Sequence, residues 1–256
     1  MSRLPLAVAN WKMHRTPDEA AVYAERFRER MAPHAADLDR RFEVAIAPPF
    51  PALDRLGRAL SGSGLALAAQ NVHPELEGAF TGEVSRGMLE ALGCRYVLVG
   101  HSERRQLFGE DDAFVAAKVK GLVGSSVRPI LCVGETLAER ERDATLEVVG
   151  RQLGCVLDAV GDALGSRLVV AYEPIWAIGT GRTATPELAQ AVHAGLRERL
   201  VDRLGGIGRE IRILYGGSVK PANAGELLAR PDIDGVLVGG ASLDPDAFAA
   251  ICTENA

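Results

Sequence analysis

The feature that most constrains this chain is a recurrence: short, strongly apolar runs return eight times, with helical patterning between them. They are Pro5 to Ala9, Glu43 to Ala47, Leu65 to Ala69, Tyr96 to Val99, Pro129 to Val133, Leu168 to Tyr172, Ile211 to Tyr215 and Val236 to Val238. Runs without polar alternation read as strands covered on both faces, as in parallel sheets flanked by helices. The segments between them open on helix signals. In Thr16-Pro17-Asp18-Glu19 the threonine can cap, proline suits the first turn and glutamate completes a capping box; Thr185-Pro186-Glu187 and Asp244-Pro245 repeat the device. Ala20, Ala24, Phe27 and Met31 then share one helical face, as do Leu188, Val192, Leu196 and Leu200, so both sets are expected to pack inward.

Eight strand-helix units in 256 residues, with no linker or low-complexity stretch, predict an α/β chain closed into a (β/α)8 barrel, one catalytic domain over 1–256. An open doubly wound sheet would place a glycine fingerprint after the first strand, where Trp11 and Lys12 stand instead.

Charge narrows the function. A formal net charge of -5 without a dense Lys/Arg run gives no footprint for nucleic acid or an anionic membrane. No apolar run approaches the roughly 20 residues that span a bilayer. Cys94, Cys132, Cys155 and Cys252 are scattered and form no CxxC pair, which argues against a zinc ribbon or redox motif and suits reduced thiols in a cytoplasmic protein. Only four of the 29 basic residues are lysine: Lys12, Lys118, Lys120 and Lys220. Where arginine is the generic surface cation, a retained lysine marks a place that needs a compact ammonium. Lys118 and Lys120, inside a helical segment, read as ordinary surface lysines.

In a barrel of this kind the site is built from loops at the carboxyl ends of the strands. Those positions hold Asn10-Trp11-Lys12, His101-Ser102-Glu103, Glu173, Gly216-Gly217-Ser218 and Gly239-Gly240. The last two sets offer unobstructed backbone N–H groups beside helix starts, the usual phosphate cradle. Glu173, at the end of a buried strand, reads either as a carboxylate raised by desolvation toward a general base or as a salt-bridged strand end. His101 reads either as a site residue or as a satisfied core histidine. Pro174 to Gly181, stiff at its start and glycine-flanked at its tip, has the composition of a lid.

Seven ordered motifs together resemble the triosephosphate isomerase family over nearly the whole chain: NWKM at Asn10, GAFTGEVS from Gly78, YVLVGHSERRQLFGE from Tyr96, PILCVGET from Pro129, AYEPIWAIGTG from Ala171, ILYGGSVKP from Ile213 and DGVLVGGASL from Asp234. The resemblance implies an isomerase that interconverts dihydroxyacetone phosphate and glyceraldehyde 3-phosphate through an enediolate. It assigns Glu173 as base, His101 as neutral electrophile, Lys12 as the cation near substrate oxygens with Glu103 beside it, and Asn10 as a polar contact. Gly179, Ser218, Gly239 and Gly240 would hold the phosphate. This family is itself the standard worked case of such pKa tuning. No metal or organic cofactor is implied. Asn71 to Val84 resembles the loop that enters a partner subunit, with Thr81 near its tip, so a homodimer is implied; Cys132 matches a packing cysteine below the site. The chain departs from the commonest pattern at Ala9, His14 and Arg182, none of them a reacting group.

Two other activities suit the same scaffold. One is isomerisation of a four-carbon phosphorylated ketose, which needs only a longer pocket; the other is a Schiff-base aldolase that uses Lys12 as nucleophile. A catalytically silent dimer would lack a reacting group, and none is missing.

Overall fold

The computed structural model describes residues 3–178 and 184–254. Its eight strands are β1 (Leu6–Asn10), β2 (Glu43–Ala47), β3 (Ala66–Ala69), β4 (Cys94–Val99), β5 (Arg128–Val133), β6 (Val169–Tyr172), β7 (Arg212–Tyr215) and β8 (Gly235–Val238). All eight expected strands form, β2 with the expected bounds and the others with at least one end moved by one or two residues. They pair in parallel in chain order, and β1 closes on β8 with Leu6 opposite Gly235. The chain is thus a single-domain (β/α)8 barrel.

Strand periodicity divides the core in two. Alternate residues point inward and fill the barrel: Leu6 and Val8, Ala45 and Ala47, Ala66 and Ala68, Tyr96 and Leu98, Ile130 and Cys132, Val169 and Ala171, Leu214 and Leu237. Their neighbours, among them Val44, Ile46, Val97, Val99, Val170 and Ile213, face outward beneath the helices. This double burial is why the strands read as unbroken apolar runs. Four alanines on β2 and β3 share this interior with the bulkier Tyr96, Leu98 and Ile130 of β4 and β5.

Polar side chains close the amino-terminal end of the barrel. Arg212, at the start of β7, donates to Glu43 Oε2 at 2.9 Å and to the Tyr96 hydroxyl at 2.8 Å, and the same hydroxyl bonds Glu43. Burial works against ionisation of Glu43, but Arg212 outweighs it and holds the carboxyl below its usual range.

The first helix, Pro17–Met31, has the expected capping box between Thr16 and Glu19, and it buries Ala20, Ala24, Phe27 and Met31 together with Tyr23. Tyr23 and Phe27 extend an aromatic row from Trp11 to Phe248. In the helix Pro186–Leu204 the inward face is Ala189, Val192, His193, Leu196, Arg197 and Leu200. Leu188 departs from expectation and is 41% exposed. It lies in the first turn at the rim, one position before the buried stripe begins at Ala189.

Lys118 is a second correction. Far from being a surface lysine, it is fully buried, with its ammonium 2.5 Å from Glu110 Oε1, 2.8 Å from Asn71 Oδ1 and over the Phe114 ring. Burial depresses its affinity for a proton, and Glu110 opposes that. Helical periodicity could not reveal this, because Glu110 and Asn71 come from other segments.

Candidate active site

At the carboxyl end of the barrel, a cavity of about 260 Å³ is lined by Asn10, Lys12, His101, Glu173, Ser218, Gly239 and Gly240, with Ile178, Lys220 and the backbone around Gly216 completing it. Seven of the eight site residues expected from the sequence therefore share one cavity. The eighth, Gly179, lies outside the described residues, as do Arg182 and the tip of the expected lid.

Each strand end delivers its side chain by a local device. Asn10 closes β1, and its Oδ1 accepts the Lys12 N–H at 3.0 Å. Gln70 donates to the Lys12 carbonyl at 2.8 Å from the far side. Between them they hold Lys12 in the left-handed region, with φ 52°. The Lys12 ammonium meets Glu103 Oε1 at 2.6 Å, the pairing that the resemblance implied. An ammonium held by a carboxylate is a positive charge, not a free nucleophile, which disfavours the aldolase alternative.

His101 caps the helix Ser102–Phe108, and its Nδ1 accepts the Glu103 N–H at 3.2 Å. That bond leaves Nδ1 without a proton and puts the ring proton on Nε2. Nε2 lies 3.0 Å from Glu173 Oε1, while the other carboxylate oxygen accepts the Ser102 N–H at 2.8 Å. Burial pushes the imidazole toward its neutral form, and the adjoining carboxylate pulls it the other way and raises it in this arrangement.

Glu173 is 2% exposed and follows β6, anchored by its N–H to the Val133 carbonyl at 2.7 Å. Two glycines make its place. A Cβ on Gly134 would sit 1.8 Å from the Glu173 carbonyl oxygen, and one on Gly216 would sit 2.8 Å from Glu173 Cγ. Of the two readings open for this strand end, a carboxyl raised by desolvation or one held by a salt bridge, the resting structure shows the second. Burial does act upward, but contact with His101 and the Ser102 N–H outweighs it, so the group lies below its usual range. Cys132 sits in the barrel interior beneath, its thiol pushed well up by burial, as suits packing rather than nucleophilic chemistry.

Sequence reasoning missed a supporting cluster. Glu135 Oε1 accepts the Tyr172 hydroxyl at 3.0 Å and Trp176 Nε1 at 2.8 Å, and Arg140 lies 3.7 Å away. The short turn Ile175–Ala177, where the expected lid begins, is thereby tied to β5 and β6. The signal was present in the GET of PILCVGET, but a lone glutamate after a strand does not announce which indole it meets.

A family model for triosephosphate isomerase matches residues 5–255. The chain belongs to the triosephosphate isomerase family. Its relatives include proteins named triosephosphate isomerase from Thiobacillus denitrificans, 53% identical over 98% of both chains, and Halorhodospira halophila, 54% identical over 97% of both. A third, from Chlorobium luteolum, is 52% identical over 97% of this chain and 98% of its own. Membership makes the chain an aldose-ketose isomerase.

Proposed function

We propose that this member of the triosephosphate isomerase family interconverts dihydroxyacetone phosphate and D-glyceraldehyde 3-phosphate with Glu173 as base, His101 as electrophile and Lys12 as electrostatic partner. The observation that carries the assignment is that these three side chains share one cavity with the glycine-rich ends of β7 and β8. Substrate seats its phosphate against the backbone at Ser218, Gly239 and Gly240, with Gly179 joining them, while Asn10 contacts the carbon chain. Glu173 takes the C1 proton, the electrons move into an enediolate, a proton passes from the C1 oxygen to the C2 oxygen, and return of a proton from Glu173 to C2 gives the aldehyde. His101 Nε2–H and the Lys12 ammonium stabilise the developing oxyanion.

The tuning of this pair follows from its geometry. Facing a substrate carbon requires Glu173 to leave His101 and Ser102, the contacts that hold its carboxyl down. Burial is then opposed only by the more distant Lys12 charge, and the carboxyl moves upward toward a stronger base. The same departure removes the main group that raises His101, so burial and the Lys12 charge shift the imidazole toward its neutral form against the weaker pull of Glu103. A single side-chain movement sets both groups for proton transfer.

We further place the protein in the cytoplasm as a homodimer. Four unpaired cysteines support the first reading. The second rests on exposed apolar side chains, Met13 (93%), Leu107 and Phe108, beside an open hollow lined by Met13, Phe50, Gln70, Asn71 and Phe108, the right chemistry to receive a partner's loop carrying Thr81. Among the described residues no helix is long and apolar enough to cross a membrane.

The test is a coupled assay of the purified chain, comparing kcat/KM for glyceraldehyde 3-phosphate with that for a four-carbon ketose phosphate. Turnover favouring the triose supports the assignment, and a preference for the longer sugar overturns it.

A further inference from the structure

Among the described residues, Lys220 is the one charged group lining the cavity that the mechanism above leaves unused. It is exposed, and among the described residues lysine ion pairs are made by Lys12 with Glu103 and Lys118 with Glu110, so Lys220 keeps its charge unpaired. Its backbone is fixed. The Lys220 N–H donates to Asn223 Oδ1 at 2.8 Å, and the amide nitrogen of the same side chain donates to the Ser218 carbonyl at 3.1 Å. Asn223 therefore clasps Lys220 to Ser218, the residue assigned to phosphate, and Pro221 starts the following helix rigidly behind it.

Charge accounting shows what such a cation does. Glu103 offsets Lys12 at 2.6 Å, and Glu173 adds a negative charge within the cavity. Without Lys220 a dianionic substrate would approach a net negative site on a chain whose net charge is -5. We propose that Lys220 is a further, phosphate-side cation of this site, an ammonium carried on backbone that is clasped to Ser218, which draws in the dianionic end of the substrate and favours phosphorylated sugars over uncharged ones. The proposal rests on the triose phosphate assignment and adds to it a residue that acts on capture of the phosphate, not on proton transfer.

Coulomb attraction between one ammonium and a dianion ~8 Å apart in water, reduced by salt screening, changes an association constant about three- to fivefold. The experiment compares the full-length wild type with Lys220→Ala, Lys220→Arg and Lys220→Glu in two measurements. The first is kcat/KM for glyceraldehyde 3-phosphate at low and high ionic strength. The second is the affinity of inorganic phosphate by calorimetry, which needs no turnover. Lys220→Ala should lower kcat/KM about three- to fivefold at low salt, with the loss falling on KM, and the gap should close as salt rises. Lys220→Glu should roughly square that factor, Lys220→Arg should restore it, and phosphate affinity should follow the same order. Equal phosphate affinity and equal salt slopes in all four proteins would overturn the role of Lys220 while wild-type turnover leaves the isomerase assignment standing. Absence of turnover in the wild type would remove that assignment, and the phosphate titrations would still decide whether Lys220 binds the anion.

Discussion

The two ends of the barrel handle buried charge in opposite ways. At the amino-terminal floor, Glu43, Tyr96 and Arg212 bond one another in a closed triangle. At the mouth, Glu173 rests on His101 and on the Ser102 N–H, and Lys12 on Glu103. The floor groups have one arrangement that satisfies them all. In the proposed mechanism the mouth groups hold contacts that substrate replaces, and Glu173 exchanges its partners to act. Burial of charge stabilises where the partners are permanent and supports chemistry where they are exchangeable.

The sharpest way to break this comparison is Glu173→Gln, which removes the proton acceptor but keeps the shape. Turnover should fall about 10²- to 10⁴-fold with Tm nearly unchanged. Steady-state kinetics beside thermal melts will check both halves, and near wild-type activity would refute the role of the carboxylate.

The floor should respond in reverse. Arg212→Met leaves Glu43 and Tyr96 buried without their cation and should cost about 3 kcal/mol of stability, with kcat per folded molecule preserved. Urea unfolding measures the loss. A variant of wild-type stability with impaired turnover would mean that the two ends are not independent.

Gly216→Ala tests how closely the mouth is fitted. Its Cβ would meet Glu173 Cγ at 2.8 Å, so we expect a loss of about tenfold in kcat/KM through displacement of the base. Little change would show that Glu173 has room to spare.

The smallest effect concerns pH. The folded Glu43 carboxyl is held below its unfolded value, so its contribution to stability is complete above about pH 5 and is lost as pH falls through the lowered folded value. Glu43→Gln should flatten that acid limb in melts recorded from pH 7 downward.

The barrel was legible because its signal is repetitive and local: eight apolar runs, and caps such as Thr16 with Glu19 that involve residues three apart. Glu173, His101 and Lys12 were legible as strand-end polar residues once the barrel was inferred. What escaped were pairings between distant segments. Lys118 looks like any helix lysine until Asn71 and Glu110 surround it, and Tyr172 and Trp176 show no sign in the sequence that they share one oxygen of Glu135. Leu188 failed for a different reason, since helical periodicity cannot say where a helix first overlies the core. The sequence left the state of the Glu173 carboxyl open, because desolvation can be read from a strand end, whereas the opposing Ser102 N–H cannot.

The left-handed backbone at Lys12 sets the interests of the fold against those of the reaction. A side chain there costs roughly 1–2 kcal/mol that glycine would not incur, so Lys12→Gly relaxes the turn while it deletes the ammonium. Laboratory selection for heat resistance alone would therefore drift toward a sturdier but inert barrel, and only a screen that also demands turnover would keep the lysine.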